Sequence, residues 1–166
     1  MAEAVQGIDV ILLFRLLKDQ SSKTGTKLAF QTEHEVSETR DSDSLATKDG
    51  AIVTPQALET EITCTSILAK DDEMVTMLRD AQRNGDTVEI WEIDRSQKQA
   101  DSSNKYKATY YQGKVTEWTK SPAAEDALEI SLTFAVSGEG QDGYATLTDE
   151  QQTVVQYVFQ DTVTKP

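Results

Sequence analysis

Several short stretches of this chain hold residue types that do chemistry elsewhere. GEGQDG, with Gly138, Gly140 and Gly143, has the glycine spacing of a dinucleotide-binding turn. That chemistry needs a strand before the glycines and a helix after them, so that backbone N–H groups meet a pyrophosphate. A strand pattern precedes, but no helix pattern opens at Gly143, and Glu139 and Asp142 would repel phosphate, so the stretch reads as a loop. Glu33, His34 and Glu35 are metal-ligand types, yet neighbours in an extended chain point to opposite faces and do not converge. Asp41 and Asp43 begin like a calcium loop, but Leu45 and Ala46 stand where a third ligand and the glycine belong, and Ile52 where the closing glutamate belongs. Glu59 and Glu61 fall on one strand face about 7 Å apart, a spacing a glycosidase can use. Nothing in the sequence marks either as a proton donor. Cys64 sits on the apolar side of its strand and reads as a small buried hydrophobe. With one Cys and one His, an intrachain disulfide, a Cys/His zinc site and a nucleophilic triad all lack members. The residues therefore name no catalytic group, no cofactor and no metal.

The elements that must carry these residues are mostly strands. Val10–Leu17 is a continuous apolar run that fits a strand buried on both faces. Lys27–Gln31 and Val36–Arg40 read as two strands joined by a polar connection. Leu58–Ser66 alternates, with Leu58, Thr60, Ile62 and Cys64 on one side. Thr87–Asp94, Tyr106–Trp118 (with a bulge expected at Gly113) and Leu128–Val136 complete a set of about seven. One helix is expected over about 71–84: Met74, Met77, Leu78 and Ala81 form a stripe, Asp71 or Asp72 caps its start, and Gly85 stops it. A single stripe covers a sheet. The fold class is mainly β: an antiparallel β-sandwich or rolled barrel of about seven strands with one flanking α-helix. The expected organisation is an N-terminal extension over 1–9, a β domain over 10–137 with a long polar loop at 41–54, and a C-terminal linker and arm over 138–166.

Charge narrows the function. The 166 residues carry a net charge of −13, with a pI near 4.4. Tight nucleic-acid binding needs clustered Lys and Arg, and docking on an anionic membrane needs the same sign. No run approaches a membrane span, and MAEAVQG has no basic start or apolar signal core. One Cys suits a reducing cytoplasm or a particle assembled there. Eight acids lie between Glu33 and Glu61 against Arg40 and Lys48, and no base occurs from Ser121 to Thr164. Long acidic segments on a small β core are ordered by contact with another chain or not at all.

The order of segments resembles the major tail protein, or tail tube protein, of long non-contractile-tailed phages of Gram-positive bacteria. The resemblance is carried by QGIDVILLFRL, by TKDG inside the polar stretch, by RNG before DTVEIWEID, by GKVTEW before ISLTFAVSGEG, and by YVFQD near the end. It implies a structural role in the phage tail of the virion, assembled in the bacterial cytoplasm. Copies would form six-membered rings stacked into a tube around the tape-measure protein. The distal tail protein and tail terminator would sit at the tube ends, and DNA would pass through without sequence-specific binding or any membrane contact. On that resemblance Glu33, Glu35, Glu38, Glu59 and Glu61 are expected to line the lumen. The stretch with Asp41, Asp43, Leu45, Lys48, Asp49 and Ile52 is expected to reach a neighbouring subunit, and Tyr157, Val158 and Phe159 to anchor a C-terminal arm. Competing readings are a tail terminator or completion protein of the same fold, a monomeric ligand-binding sandwich with Trp91, Trp118 and Tyr110 as a sugar platform, and an enzyme using Glu59 and Glu61.

Overall fold

A computed structural model describes residues 2–100 and 104–147. Six strands form one antiparallel sheet: β1 (Val10–Leu16), β2 (Gln31–Thr47), β3 (Gly50–Ile67), β4 (Val88–Lys98), β5 (Lys105–Ser121) and β6 (Glu129–Thr146). Their order is β1-β4-β5-β6-β3-β2. The expected strand at Lys27–Gln31 is absent; Thr26 makes an isolated bridge to Phe14, and β2 begins at Gln31. Among the described residues six strands, four of them 17 or 18 residues long, stand in place of the roughly seven expected.

The polar connection expected at Thr32–Glu35 lies within β2, and two longer expected loops are strands as well. The 41–54 stretch is the far end of a hairpin: β2 runs to Thr47, β3 starts at Gly50, and only Lys48 and Asp49 make the turn. Likewise Gly138–Gly143 lies within β6, which pairs with β5 as far as Thr146, so the boundary expected at 137/138 falls inside a strand. Both stretches mislead for one reason. They are solvent-exposed on both faces apart from the half-buried Gly140, so the period-2 hydrophobic signal has nothing to record.

The sheet is rolled until its two edge strands meet. Phe14 of β1 stacks on Phe134 of β6 with ring centroids 5.3 Å apart, although three strand spacings would separate them by about 14 Å in a flat sheet. At the seam the Gln31 side chain replaces a peptide group. Its Nε2 donates to Leu12 O (2.7 Å), and Leu12 N donates to its Oε1 (3.2 Å). One pair further on, Phe14 exchanges backbone bonds of 2.8 and 2.9 Å with Thr26. His34 of β2 also reaches Glu92 of β4, at 2.7 Å. The edge of β1 is thereby satisfied inside the protomer, which removes a pairing hazard.

The main core lies inside the roll, with Leu12, Phe14, Ile62, Ile90, Leu132 and Phe134 at its centre. Full burial of each such side chain contributes roughly 1.5–3 kcal/mol. Helix α1 (Glu73–Asn84) closes this core with Met74, Val75, Leu78 and Ala81. Asp72 caps it, accepting from Met74 N at 3.1 Å, and Gly85 ends it at φ 71°. A second cluster of Ile11, Leu13, Ile93, Tyr106, Ala108 and Leu147 occupies the opposite face. Strand β1 is thus apolar on both sides, which explains its unbroken hydrophobic run.

Gly113 is not itself a bulge; register shifts flank it at Tyr110/Gln112 and Val115/Glu117. It is glycine because a Cβ there would come within 2.6 Å of Ala135 O. Gly113→Ala is therefore expected to lower stability by about 1–3 kcal/mol, measured by denaturant unfolding, through displacement of β6 from β5. Unchanged stability would show that the two strands separate freely.

Candidate functional site

The strand registers sort the acids of β2 and β3. Glu35 pairs with Thr63, Ser37 with Glu61 and Thr39 with Glu59, and Glu33 stands opposite Thr65. Glu33, Glu35, Glu59 and Glu61 therefore share one face, opposite the core. Glu38 does not join them. It pairs with Thr60, a buried residue on the core side. There it lies near Tyr111, whose pKa is pushed up to about 12, first by burial and then by the charges of Glu92, Glu38 and Asp142. The parity of residues 33, 35 and 38 already separates it from the others.

The same face continues across β6 and β5. Ser131 and Thr133 lie beside Thr65 and Thr63, and Glu117 and Thr119 lie beside those in turn. Glu129 and Lys114 complete a four-stranded polar surface, with Ile67 at one end as its one large apolar side chain. Six acids and one lysine make it strongly negative, with unit charges spaced closely enough to repel a polyanion. Two edges of this surface are open. On its β4 side β5 pairs only as far as Gly113, so among the described residues 114–121 have no strand partner there, and Gln82 Nε2 of α1 donates to Thr116 O at 3.3 Å. Beyond the seam, β2 pairs only with β3.

Past this surface the hairpin projects alone. β3 pairs with β6 only from Thr60 onward, and every residue from 37 to 57 is exposed. Asp41, Asp43 and Leu45 lie on one face of β2, and Ile52 stands opposite Leu45. Thr47 Oγ1 accepts from Asp49 N at 3.2 Å and steadies the Lys48–Asp49 turn. Pro55, paired with Ser42, is tolerated because the far side of β3 has no partner at that level. Leu45 and Ile52 are 66% and 54% exposed. Tyr157, Val158 and Phe159 lie outside the described residues.

The chemical candidates disperse. Glu33 and Glu35 point away from His34, which is held by Glu92. Among the described residues no group of three or more His, Cys, Asp or Glu is placed to hold a metal. Cys64 is buried, and desolvation pushes its thiol up to about 12, far from a reactive thiolate. Trp91 packs on Tyr110 at 5.3 Å on the outer side of the sheet, whereas Trp118 lies on the core side beneath Arg79, so the three aromatics form no common sugar platform. No helix among the described residues is long and apolar enough to cross a membrane.

Sequence reasoning missed one polar cluster. Glu89 is fully buried; Arg15 binds it at 2.5–2.6 Å, Gln20 donates at 2.9 Å and Tyr110 OH at 2.8 Å. Burial pushes the Tyr110 phenol up, and its bond to Glu89 reinforces that shift. The available signal was Arg15 itself, a charge inside a strand that must be buried on both faces.

Comparison with known proteins agrees with the geometry. The profile of the phage tail tube protein family matches residues 4–142. A protein of Staphylococcus phage phiMR25 that carries a tail-protein name is 29% identical over 166 residues, covering 98% of this chain and 85% of that protein. The tail tube protein gp17.1* of Bacillus phage SPP1 is 27% identical over 139 residues, and the match takes in 84% of this chain but only 52% of that relative's length. In fold, the SPP1 tail tube solved by solid-state NMR and cryo-EM superposes with a TM-score of 0.74 at 21% identity, over 95% of this chain and 91% of that one. The tail of an empty gene transfer agent particle, refined with C6 symmetry, gives 0.61 at 13% identity, over 87% and 100% of the two chains.

Proposed function

From the premise that the chain belongs to the phage tail tube protein family, we propose that its copies join through the open edges of the acidic sheet face into six-membered rings, and that this face lines the bore. The chain is a structural component of the phage tail, and the proposal concerns how it builds one. The carrying observation is the pair of borders that have no strand partner among the described residues, the outer side of β2 and residues 114–121 of β5, on either side of one polar surface. Counting antiparallel neighbours across β2-β3-β6-β5 makes β2 and β5 run in opposite senses. Rotation about a tube axis preserves those senses, so β2 of one copy meets β5 of the next as an antiparallel pair, continuing the pattern without a break. Closing the sheet on itself removes every edge. The expected surroundings are the tape-measure protein inside during assembly, DNA afterwards, and the distal tail and terminator proteins at the ends. In this role no residue acts as a catalyst.

Negative-stain microscopy of the purified chain tests this directly. Long tubes support it; single rings point to a terminator instead, and a permanent monomer at all concentrations overturns it.

The bore charge gives a separate expectation. Phosphates must slide past Glu33, Glu35, Glu59 and Glu61, and repulsion over a Debye length of about 8 Å keeps them off the wall. Replacing all four by Lys converts the wall into a phosphate binder. Particles carrying those changes are expected to assemble and to lose on the order of tenfold or more in DNA delivery, scored as infective titre per tailed particle. Undiminished delivery would remove these residues from the bore.

A further inference from the structure

The open run of β5 is not bare. Pairing with β4 ends at Gly113, and residues 114–121 have no strand on that side among the described residues. A free run of this length is a ready template for pairing with another chain. Helix α1 packs on β5, and two of its side chains, one turn apart, reach the open run. Gln82 Nε2 donates to Thr116 O at 3.3 Å, and the Arg79 guanidinium sits 4.9 Å from the centre of the Trp118 ring. Thr116 is also the extra residue of a bulge. Val115 pairs with Phe134 and Glu117 with Thr133, which leaves Thr116 between them outside the ladder. Its hydroxyl donates to Thr133 O at 3.2 Å, so β6 holds the bulge from one side while α1 holds its carbonyl. A bulge breaks the even row of donors and acceptors that an incoming strand would read.

The same device occurs at the seam in a firmer form. There Gln31 also stands in for a peptide group, but it makes two bonds to Leu12, of 2.7 and 3.2 Å, and backbone bonds between Phe14 and Thr26 support it. Gln82 makes a single, longer bond at the surface. The β1 edge is therefore closed, whereas the cover on β5 is lifted by breaking one exposed hydrogen bond.

We propose that α1 guards the β5 edge in the free protomer: the Gln82 amide, set over the Thr116 bulge, keeps the edge from pairing until a neighbour's β2 displaces it. The inference rests on the ring reading and names how that joint is regulated. A contact present only in the free chain opposes joining by its whole free energy. The guard thereby sets how concentrated the protomer must be before tubes form.

The test uses the full-length chain and measures the threshold concentration at which tubes first appear, with the lag before they do, followed by light scattering. Gln82→Ala and Gln82→Met both lack the donor, and Met keeps the length of the side chain. Each is expected to melt within about 2 °C of the parent, as a surface change does. Each should polymerise at a threshold lower by roughly threefold or more, the effect of one hydrogen bond, with a shorter lag and tubes of unchanged width. A parent-like threshold in both variants overturns the guard, as does a raised one, which would mean that Gln82 supports the tube. A threshold lowered in only one of the two also overturns it, because the shared loss of the donor would then not be the cause. If the parent forms no tubes, the ring reading fails and the guard with it; if parent tubes form and both variants share their threshold, only the guard fails.

Discussion

A chain in which residues 41–57 are replaced by Asn-Gly is expected to fold normally and to form no tubes. Arg40 and Leu58 already face each other across the ladder, so a two-residue turn can join them there. The excised stretch is exposed throughout and shelters nothing in the core. Its removal should change protomer stability by less than about 1 kcal/mol, as surface changes do, read as a thermal melt by circular dichroism. Microscopy should show polymer reduced to nothing or to isolated rings. The physical case is that ordering each hairpin residue costs roughly 1–2 kcal/mol of backbone entropy, while a lone two-stranded ribbon is marginal in water. Burial against another copy can offset that cost. Amides of residues 42–54 should accordingly exchange fast in dilute protein and slowly in polymer. Normal tubes from the shortened chain would deny the hairpin any assembly role, and an unfolded product would show that it supports the core.

The second large effect concerns Glu89. Replacing it by Ala leaves the Arg15 guanidinium, the Gln20 amide and the Tyr110 hydroxyl without their shared acceptor. Removing one partner of a buried pair typically costs about 3–5 kcal/mol, a large share of a domain's total stability of about 5–15 kcal/mol. Denaturant unfolding of Glu89→Ala should show that loss. The double variant Glu89→Leu, Arg15→Met should recover most of it, because an apolar pair of similar size needs no desolvated charge. A single variant as stable as the parent would mean that water already reaches the cluster.

How much of this was legible beforehand depended on what each segment buries. Val10–Leu16 and the helix with its Asp72 cap and Gly85 stop have an apolar side facing a core and were found close to their true bounds, as was the start of β6, where Leu128–Val136 alternates. Gln31–Thr47 and the end of β6 have no such side over much of their length, so their Ser, Asp and Gly content was taken for loop. Glu33, Glu35, Glu59 and Glu61 share one face, whereas Glu38, grouped with them from the sequence, lies on the other, because counting acids displaced counting parity. Gln31 closing the roll was beyond reach, because a glutamine carries no sign of a partner 19 residues earlier.

By itself the sequence determined the fold class, the capped helix and the excess of negative charge. These follow from local periodicity and composition, which need no knowledge of distant contacts. Only the tertiary structure decided that β1 and β2 meet at a seam, that Glu33 and Glu35 of β2 share a face with Glu59 and Glu61 of β3, and that an exposed tip and an exposed base lie at opposite ends of one hairpin. Register and curvature arise from pairings between residues far apart in the chain, and a one-residue shift in any of them would send every side chain to the other face.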